Sequence, residues 1–248
     1  MNILITGATA GFGLDIARRF AQDGHRLVLI GRRQDRLQTL VTELGSNAHA
    51  VTLDVRDRDA VLAAITGLPA AFADTDVLVN NAGLALGVAP AQKANLDDWH
   101  TMVDTNVKGL MTVTHAVLPG MVARDRGHVI NIGSVAGNWP YPGGNVYGAT
   151  KAFVRQFSLN LRADLAGTRV RVTDIEPGMV AGTEFSDVRF AGDTDRAATV
   201  YKGAEPLTAA DVTDAVQWVA TRPAHVNINT LELMPVCQSF GGLSISRK

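Results

Sequence analysis

Short apolar runs alternate along this chain with longer segments in which apolar residues recur every three or four positions. The short runs are rich in Val, Ile and Leu, as expected of parallel strands buried on both faces, and the longer segments are typical of helices. The pattern predicts helices between seven strands, which lie near residues 2–6, 26–30, 48–53, 76–80, 127–133, 169–175 and 229–235. Such alternation indicates successive βαβ units.

The handedness of βαβ crossovers then favours an α/β fold of the Rossmann-like, doubly wound type. We expect a parallel seven-stranded sheet of order 3-2-1-4-5-6-7 with helices on both faces and ligands beyond the carboxyl ends of its strands. Residues 177–205, rich in Gly and small polar residues, are too long for an ordinary connection. We interpret this lid segment as a cover over the site, the alternative being a surface excursion without function.

Length and composition indicate one folded domain over residues 1–248, because 46% of the residues are hydrophobic, 19% are charged, and no linker-like stretch divides the chain. The net charge of −1 disfavours nucleic acid as a partner. With no leader pattern and no apolar run near 20 residues, we expect a cytoplasmic protein that does not enter membranes. The lone Cys237 is assigned no role, and the scattered histidines predict no metal site.

A glycine-rich turn follows the first predicted strand and opens a helix. Glycines at 7, 11 and 13 permit a tight turn and a close approach of the backbone to a pyrophosphate, whose charge the amides of a helix N-terminus would meet. In this position a cofactor-binding turn is favoured over a turn alone. Its predicted cofactor contacts are Gly7, Thr9, Ala10, Gly11, Phe12 and Gly13.

The second strand ends at Arg32 and Arg33, about 20 residues beyond the turn, where NAD-binding sites place an acid for the ribose hydroxyl. Guanidinium groups suit a 2′-phosphate instead, so the sequence predicts NADP(H). Asp54 and Val55 follow the third strand, where they are placed to hold the adenine. For Asp54, an N-cap of the next helix is an equal alternative.

Two asparagines end the fourth strand in the run Asn80-Asn81-Ala82-Gly83. For Asn80 a brace of the strand end and a nucleotide contact are equally supported, whereas Asn81, Ala82 and Gly83 are predicted to contact the cofactor. Asn106 lies in an otherwise good helix, where asparagine is a weak helix former. A kink there would hold water near Lys151, although Asn106 alone favours a structural role.

Tyr147 and Lys151 are four residues apart in a predicted helix, and Ser134 closes the strand before it. Residues at i and i+4 share one helix face, so the ammonium is predicted beside the phenol. A cation about 4 Å away at an effective dielectric near 20 is worth ~4 kcal/mol, enough to lower the phenol pKa by roughly three units. Ser134 would then hold the oxygen of a carbonyl or alcohol. For Tyr-x-x-x-Lys alone, an ordinary surface helix is favoured.

Together these motifs, in this order, resemble the short-chain dehydrogenase/reductase family over nearly the whole chain. The resemblance implies that Tyr147 is the general acid/base, that Lys151 lowers its pKa and binds the nicotinamide ribose, and that Ser134 orients the reacting oxygen. Asn106 would support a water relay. It also implies cofactor contacts at Pro177, Gly178, Val180 and Thr183, although Thr183 lies six residues after Pro177 where the family often has five.

The stretches 143–147, 182–186 and 223–229 resemble the bacterial NADP-dependent 3-hydroxy acid dehydrogenases. That likeness implies oxidation of serine, allo-threonine and other small 3-hydroxy acids, reduction of malonic semialdehyde, and a homotetramer. A carboxylate substrate needs a cation, for which we predict Arg189 in the lid segment. A solvated loop arginine is the alternative. Other functions left open are a ketone or 3-ketoacyl reductase and a non-enzymatic NADP-binding sensor.

Overall fold

The computed structural model describes residues 1–241 and forms one parallel sheet of seven strands in the order β3-β2-β1-β4-β5-β6-β7. The strands are β1 Asn2–Thr6, β2 Arg26–Gly31, β3 Ala48–Thr52, β4 Val77–Asn80, β5 Gly127–Ile132, β6 Val170–Pro177 and β7 Thr230–Leu233. Each adjacent pair is parallel. The predicted strand order is confirmed, and every predicted strand boundary lies within two residues of the observed one.

Helices connect the strands and cover both faces of the sheet. They are α1 Gly11–Gln22, α2 Gln34–Leu44, α3 Arg58–Thr66, α4 Ala70–Ala73, α5 Leu96–Val103, α6 Leu110–Ala123, α7 Asn145–Asp164, α8 Phe185–Arg189, α9 Thr194–Thr199 and α10 Ala209–Ala220. A π-helical turn, Asp104–Gly109, joins α5 to α6, and 3₁₀ turns occupy Gly45–Asn47, Ala91–Lys93 and Val135–Gly137. Within the described residues, no helix has the length and apolar content needed to cross a membrane.

Alternation along the strands divides the core into two layers. Ile3 and Ile5 of β1 face a layer that includes α1 and α10, whereas Leu4 between them faces the layer that includes α6 and α7. All three side chains are completely buried. This burial on both faces explains why the strands are continuous apolar runs and why their carboxyl ends form a firm edge for a site.

The lid segment is more ordered than its composition predicts. The expectation of an irregular stretch is wrong in part, because β6 extends to Pro177 and the segment contains α8 and α9. The side chain of Asp193 accepts a hydrogen bond from the backbone of Arg196, which starts α9. Val180 pairs with Leu207 in an isolated bridge, so the start of the lid segment is tied to the chain just beyond the end of the segment.

Candidate active site

The turn after β1 adopts the backbone that its glycines permit. Gly7 and Gly11 have φ angles of 69° and 51°, in the region that favours glycine. A Cβ at Gly13 would lie 2.3 Å from the carbonyl oxygen of Gly7, so this glycine allows α1 to pack against the turn. The N-terminus of α1 therefore opens onto a cleft at the carboxyl edge of the sheet, where backbone amides and the helix dipole favour an anion.

Most of the predicted cofactor residues line this cleft, which we call the nucleotide cleft. They are Gly7, Thr9, Ala10, Gly11, Phe12, Arg32, Arg33, Asp54, Val55, Asn81, Ala82, Gly83, Tyr147, Lys151 and Thr183. Gly13, Pro177, Gly178 and Val180 do not line it. Gly13 is enclosed by the turn itself, and Gly178 is packed against Gln238, whose Oε1 would lie 2.3 Å from a Cβ at that position.

The end of β2 presents a cluster of arginines to the cleft. Arg32 is largely exposed, with Nη1 4.0 Å from Oδ2 of Asp54. Arg33 donates from Nη2 to Oγ1 of Thr9 at 2.9 Å and from Nη1 to Glu184 of the lid segment at 2.8 Å. Arg36 donates to the other carboxylate oxygen of Glu184. The residues present thus fit a dinucleotide with a 2′-phosphate, because two guanidinium groups line the cleft at the predicted ribose position.

Asp54 is not the N-cap of α3, which was one of its two predicted roles. Asp57 caps α3, since its carboxylate accepts from the backbone of Ala60 at 3.0 Å. Asp54 instead accepts from the backbone and guanidinium of Arg56. Burial alone would raise the pKa of Asp54, but the hydrogen bonds and charge of Arg56 outweigh it and leave the pKa below its usual value.

The two adjacent asparagines after β4 have different partners. Asn80 is buried, and its amide donates to Oγ1 of Thr114 and Oδ1 of Asn131, each at 2.9 Å, which makes it a brace between strand and helix. Asn81 lines the nucleotide cleft while its amide donates to the carbonyls of Thr6 and Gly7. Asn81 therefore both holds the glycine turn in place and forms part of the wall of the cleft.

Ser134, Tyr147 and Lys151 converge at the end of β5. Ser134 lies two residues beyond the strand, where its hydroxyl donates to the carbonyl of Pro177 at 3.3 Å and accepts from the backbone of Ala136 at 3.2 Å. Tyr147 and Lys151 are buried on one face of α7. The Lys151 ammonium donates to the carbonyl of Ile132 at 2.7 Å and lies 5.9 Å from the centre of the Tyr147 ring.

The predicted fall in the pKa of Tyr147 is wrong for this structure. Burial raises the pKa of Tyr147 to about 12, against the opposing effects of the Ser134 hydroxyl and the Arg189 guanidinium. Burial also lowers the pKa of Lys151 to about 8, while the charge of Asp174 acts in the opposite direction. The cost of desolvating both buried groups outweighs the attraction expected between a neighbouring ammonium and phenolate.

Asn106 lies in the π-helical turn, so the helix is irregular where the sequence predicts a kink. Its side chain is fully used: Oδ1 accepts from the backbone of Leu84, and Nδ2 donates to the carbonyl of Leu84 and to Oγ1 of Thr150. The widened turn is typical of functional sites, and here it braces the loop after β4 against α7. The structural role that the residue alone favours is therefore present.

Arg189 is placed beside the phenol and not in open solvent. Its guanidinium lies 5.5 Å from the ring centre of Tyr141 and 5.7 Å from that of Tyr147. Nη2 donates to the hydroxyl of Tyr141 at 2.8 Å, and Nε donates to the carbonyl of Gly87 at 3.3 Å. A guanidinium group is thus held beside the ring of Tyr147, one of the two residues predicted to contact the reacting oxygen.

Several residues of the nucleotide cleft are absent from the sequence prediction. They are Ile30, Gly31, Leu53, Leu84, Thr105, Ile132, Gly133, Glu184, Phe185 and Val188. Most follow directly from adjacency to a predicted residue or a strand end, as Leu53 does. Phe185, whose ring centre lies 5.7 Å from that of Tyr147, carries no such local signal. In residues 1–241 no group of His, Cys, Asp and Glu is arranged to hold a metal ion.

A family model described as short chain dehydrogenase matches residues 1–193. The chain belongs to the short-chain dehydrogenase family. The family predicted from the motifs is thereby confirmed.

Relatives of known name extend this result over the full length. The chain is 65% identical over 247 residues to the NADP-dependent 3-hydroxy acid dehydrogenase YdfG of Salmonella typhi, with 100% of both chains covered. It is 55% identical to the serine 3-dehydrogenase of Rhizobium radiobacter, over 100% of this chain and 98% of that one. It also matches a structure described as the closed form of serine dehydrogenase complexed with NADP⁺, at 63% identity and a TM-score of 0.99 over the whole of both chains.

Proposed function

We propose that this short-chain dehydrogenase is an NADP-dependent oxidoreductase that interconverts the 3-hydroxyl and 3-oxo groups of small 3-hydroxy acids. The observation that carries this proposal is the position of the Arg189 guanidinium, 5.7 Å from the ring centre of Tyr147. This position places a group that can bind a carboxylate, Arg189, in the same site as a proton donor, Tyr147. The relatives named as NADP-dependent 3-hydroxy acid dehydrogenase and serine 3-dehydrogenase support both the cofactor and the substrate class.

In this proposal the chain supplies proton transfer and orientation. Tyr147 transfers the proton to or from the reacting oxygen, and the Ser134 hydroxyl hydrogen-bonds that oxygen. NADP(H), when bound, supplies or accepts the hydride. The Lys151 ammonium, tethered to the carbonyl of Ile132, keeps positive charge next to the phenol. Asn106 holds the adjoining loop and the π-helical turn, through which a water relay would pass.

The protonation state of the phenol follows from its surroundings. With a pKa raised to about 12, Tyr147 carries its proton at neutral pH. It is therefore ready to donate to a carbonyl oxygen during reduction, whereas oxidation requires it to lose that proton first. Lys151, with a pKa lowered to about 8, is still mostly charged at neutral pH. Because the two groups share one buried cleft, the cation stabilises the phenolate once it forms.

Cofactor binding is assigned to the residues that line the nucleotide cleft. The glycine turn and the N-terminus of α1 would receive the pyrophosphate, and Arg32 and Arg33 the 2′-phosphate. Asp54 and Val55 border the adenine end, and Thr183 closes the cleft over the turn, with its side chain against Gly11. Tyr147 and Lys151 line the opposite end, where the nicotinamide must lie if hydride and proton are to move together.

Recognition of the acid is assigned to Arg189. A guanidinium group presents two parallel donors that match a carboxylate. In the structure one of these donors binds the hydroxyl of Tyr141 at 2.8 Å, so a substrate carboxylate would exchange with that contact. Because α8 ends at Arg189, this contact also depends on how the lid segment is seated.

A substrate panel tests the proposal. Initial rates of NADP⁺ reduction with serine, allo-threonine and 3-hydroxypropionate, and of NADPH oxidation with malonic semialdehyde and a neutral ketone, should show a preference for the acids. In Arg189→Ala the acids should lose activity by one to two orders of magnitude, since a charged hydrogen bond is worth about 1.5–3 kcal/mol, while the ketone loses little. Equal losses on acid and ketone would remove the carboxylate role, and cofactor binding without turnover would favour a sensor.

We further propose that residues 1–248 form one domain that works as a homotetramer in the cytoplasm. The resemblance of the chain to the 3-hydroxy acid dehydrogenases supports the tetramer, and the single sheet described here supports one domain. Light scattering coupled to gel filtration should give four times the chain mass of 26.3 kDa. A monomer at micromolar concentration would contradict the tetramer.

A further inference from the structure

Two carboxyl groups are buried behind the candidate active site on β6. Asp174 and Glu176 are each 1% exposed and lie two positions apart, so their side chains project from the same face of the strand. Within residues 1–241, both carboxylate oxygens of Asp174 and Oε1 of Glu176 have no hydrogen-bond donor. Two unprotonated carboxylates in such a place would carry a large desolvation cost.

A shared proton resolves this arrangement. A hydrogen bond between the two carboxyl groups contributes to the raised pKa of Asp174, and such a bond requires a proton on one of them. Burial and the charge of Glu176 raise the pKa of Asp174 far above its usual range, which places the proton on Asp174. The pair then bears a single negative charge, on Glu176, whose Oε2 accepts from the amide of Asn138 at 2.7 Å.

Asp174 lies next to the groups that hold Lys151. A Cβ at Gly133 would be 2.4 Å from Oδ1 of Asp174, so the carboxyl group is packed directly against Gly133. Gly133 follows Ile132, whose carbonyl accepts from the Lys151 ammonium, and precedes Ser134. The carboxyl group thus touches the backbone segment that carries both the lysine's hydrogen-bond acceptor and the serine.

The charges around the pair come from three elements. From α7, the charge of Lys151 lowers the pKa of Asp174, and Nε of Arg155 lies 3.4 Å from Oε1 of Glu176 without hydrogen-bond geometry. From β7, the exposed Glu232 adds a like charge beside Glu176. Asn138, after β5, donates to both Glu176 and Glu232. Among the residues of the described range, Asp174 is the carboxyl group whose charge raises the pKa of Lys151.

We propose that Asp174 is a positioning residue for Lys151: packed against Gly133, next to the carbonyl that binds the lysine, its carboxyl group supplies the negative charge that keeps the ammonium charged beside the phenol. The proposal rests on the role of Lys151 in the proposed function. The direction of the pKa effect agrees with it, because the charge of Asp174 raises the pKa of Lys151 against the effect of burial. When Asp174 ionises, one proton leaves the carboxyl pair for solvent, the ammonium retains its own proton, and nothing else is transferred.

The test measures Lys151 directly in the enzyme without cofactor. Competitive labelling with acetic anhydride, quantified by mass spectrometry across pH 6–10, gives the midpoint at which the Lys151 amine becomes reactive. In Asp174→Asn the amide keeps the shape and still donates to Glu176 but does not ionise. We expect its midpoint to fall by about half a pH unit or more, since an opposite charge is lost nearby. The loss of reductase activity at alkaline pH should then also begin at a lower pH in this variant.

A second variant separates this effect from damage to the fold. In Glu176→Gln the pair keeps one charge but places it on Asp174, nearer to Lys151, so the midpoint should stay or rise. Glu232→Gln removes a charge from the same cluster away from Gly133 and should leave the midpoint unchanged. An unchanged midpoint in Asp174→Asn, or a fall in Glu176→Gln, would overturn the proposal. Because labelling requires no turnover, this result is independent of the substrate assays.

Discussion

The two sides of the nucleotide cleft are built in different ways. On one side, which we call the catalytic wall, Ser134 and Lys151 donate hydrogen bonds to the backbone of β6 and β5, and Tyr147 is buried next to Lys151 on α7. On the other side, exposed ion pairs attach the part of the lid segment that contains α8: Glu184 pairs with two arginines at one end, while at the other end Arg189 binds Tyr141 and the backbone of Gly87.

The difference separates chemistry from recognition. Buried hydrogen bonds fix geometry and are insensitive to salt, which suits groups that exchange a proton. Exposed ion pairs are individually weak and are screened by salt, which suits a segment that has to open and close. We therefore expect changes in the catalytic wall to act on turnover and changes in the lid segment to act on binding.

The largest expected effect is the loss of the phenol. Tyr147→Phe keeps the ring and its packing but removes the proton donor, so kcat should fall by about 10²–10⁴-fold while NADPH binding, measured by fluorescence titration, is retained. Tyr141→Phe is the matched control, because it also removes one hydroxyl near Arg189 and should cost far less. Turnover that survives Tyr147→Phe within tenfold would show that the catalytic wall does not supply the acid.

A second effect comes from pH. Because burial raises the pKa of Tyr147 to about 12, the deprotonated fraction increases with pH throughout the neutral range. We expect kcat/KM for oxidation to rise by up to about tenfold per unit between pH 6 and 8, and kcat/KM for reduction to change much less. The dissociation constant of NADP⁺ over the same range is the control. Parallel profiles in the two directions would contradict the assignment of the proton to Tyr147.

The sequence predicts the fold and the catalytic wall better than it predicts how charge is distributed. Continuous apolar runs such as Leu27–Ile30 define strands because burial on both faces leaves no other pattern, and the strand ends then bring Ser134, Tyr147 and Lys151 together. The pKa of Tyr147 is mispredicted because desolvation depends on neighbours far away in the chain, including Phe185. The burial of Asp174 is likewise set by packing against Gly133, which no local pattern reveals.

The arginine cluster at the end of β2 should determine the preference for NADP⁺ over NAD⁺. Arg32 is 65% exposed and has only a 4.0 Å approach to Asp54, so its guanidinium is available to a phosphate. In Arg32→Gln we expect NADP⁺ to bind about tenfold more weakly and NAD⁺ to be nearly unchanged, because one charge-assisted hydrogen bond is lost. Arg36→Gln is the control: Arg36 binds Glu184 and lies outside the lining of the nucleotide cleft, so any loss should be the same for NADP⁺ and NAD⁺. Equal losses for both cofactors would contradict a 2′-phosphate contact.

The smallest effect is expected at the ion pairs that hold the lid segment. Glu184 pairs with Arg33 at 2.8 Å and also with Arg36, and all three side chains are 38–46% exposed. In Glu184→Gln the lid segment loses this attachment, so both cofactors should dissociate faster, by roughly two- to fivefold, without a change in the preference for NADP⁺. Stopped-flow fluorescence measures these rates.

Salt and a neighbouring charge distinguish the ion pairs from a general charge effect. In 0.5 M NaCl the difference between Glu184→Gln and the unaltered chain should largely disappear, because exposed pairs are screened. Asp187→Asn removes a charge from α8, which Glu184 precedes, and Asp187 makes no ion pair with any residue of the described range. It should leave the dissociation rates unchanged. If Asp187→Asn matches Glu184→Gln, the lid segment responds to net charge and not to the contact with Arg33 and Arg36.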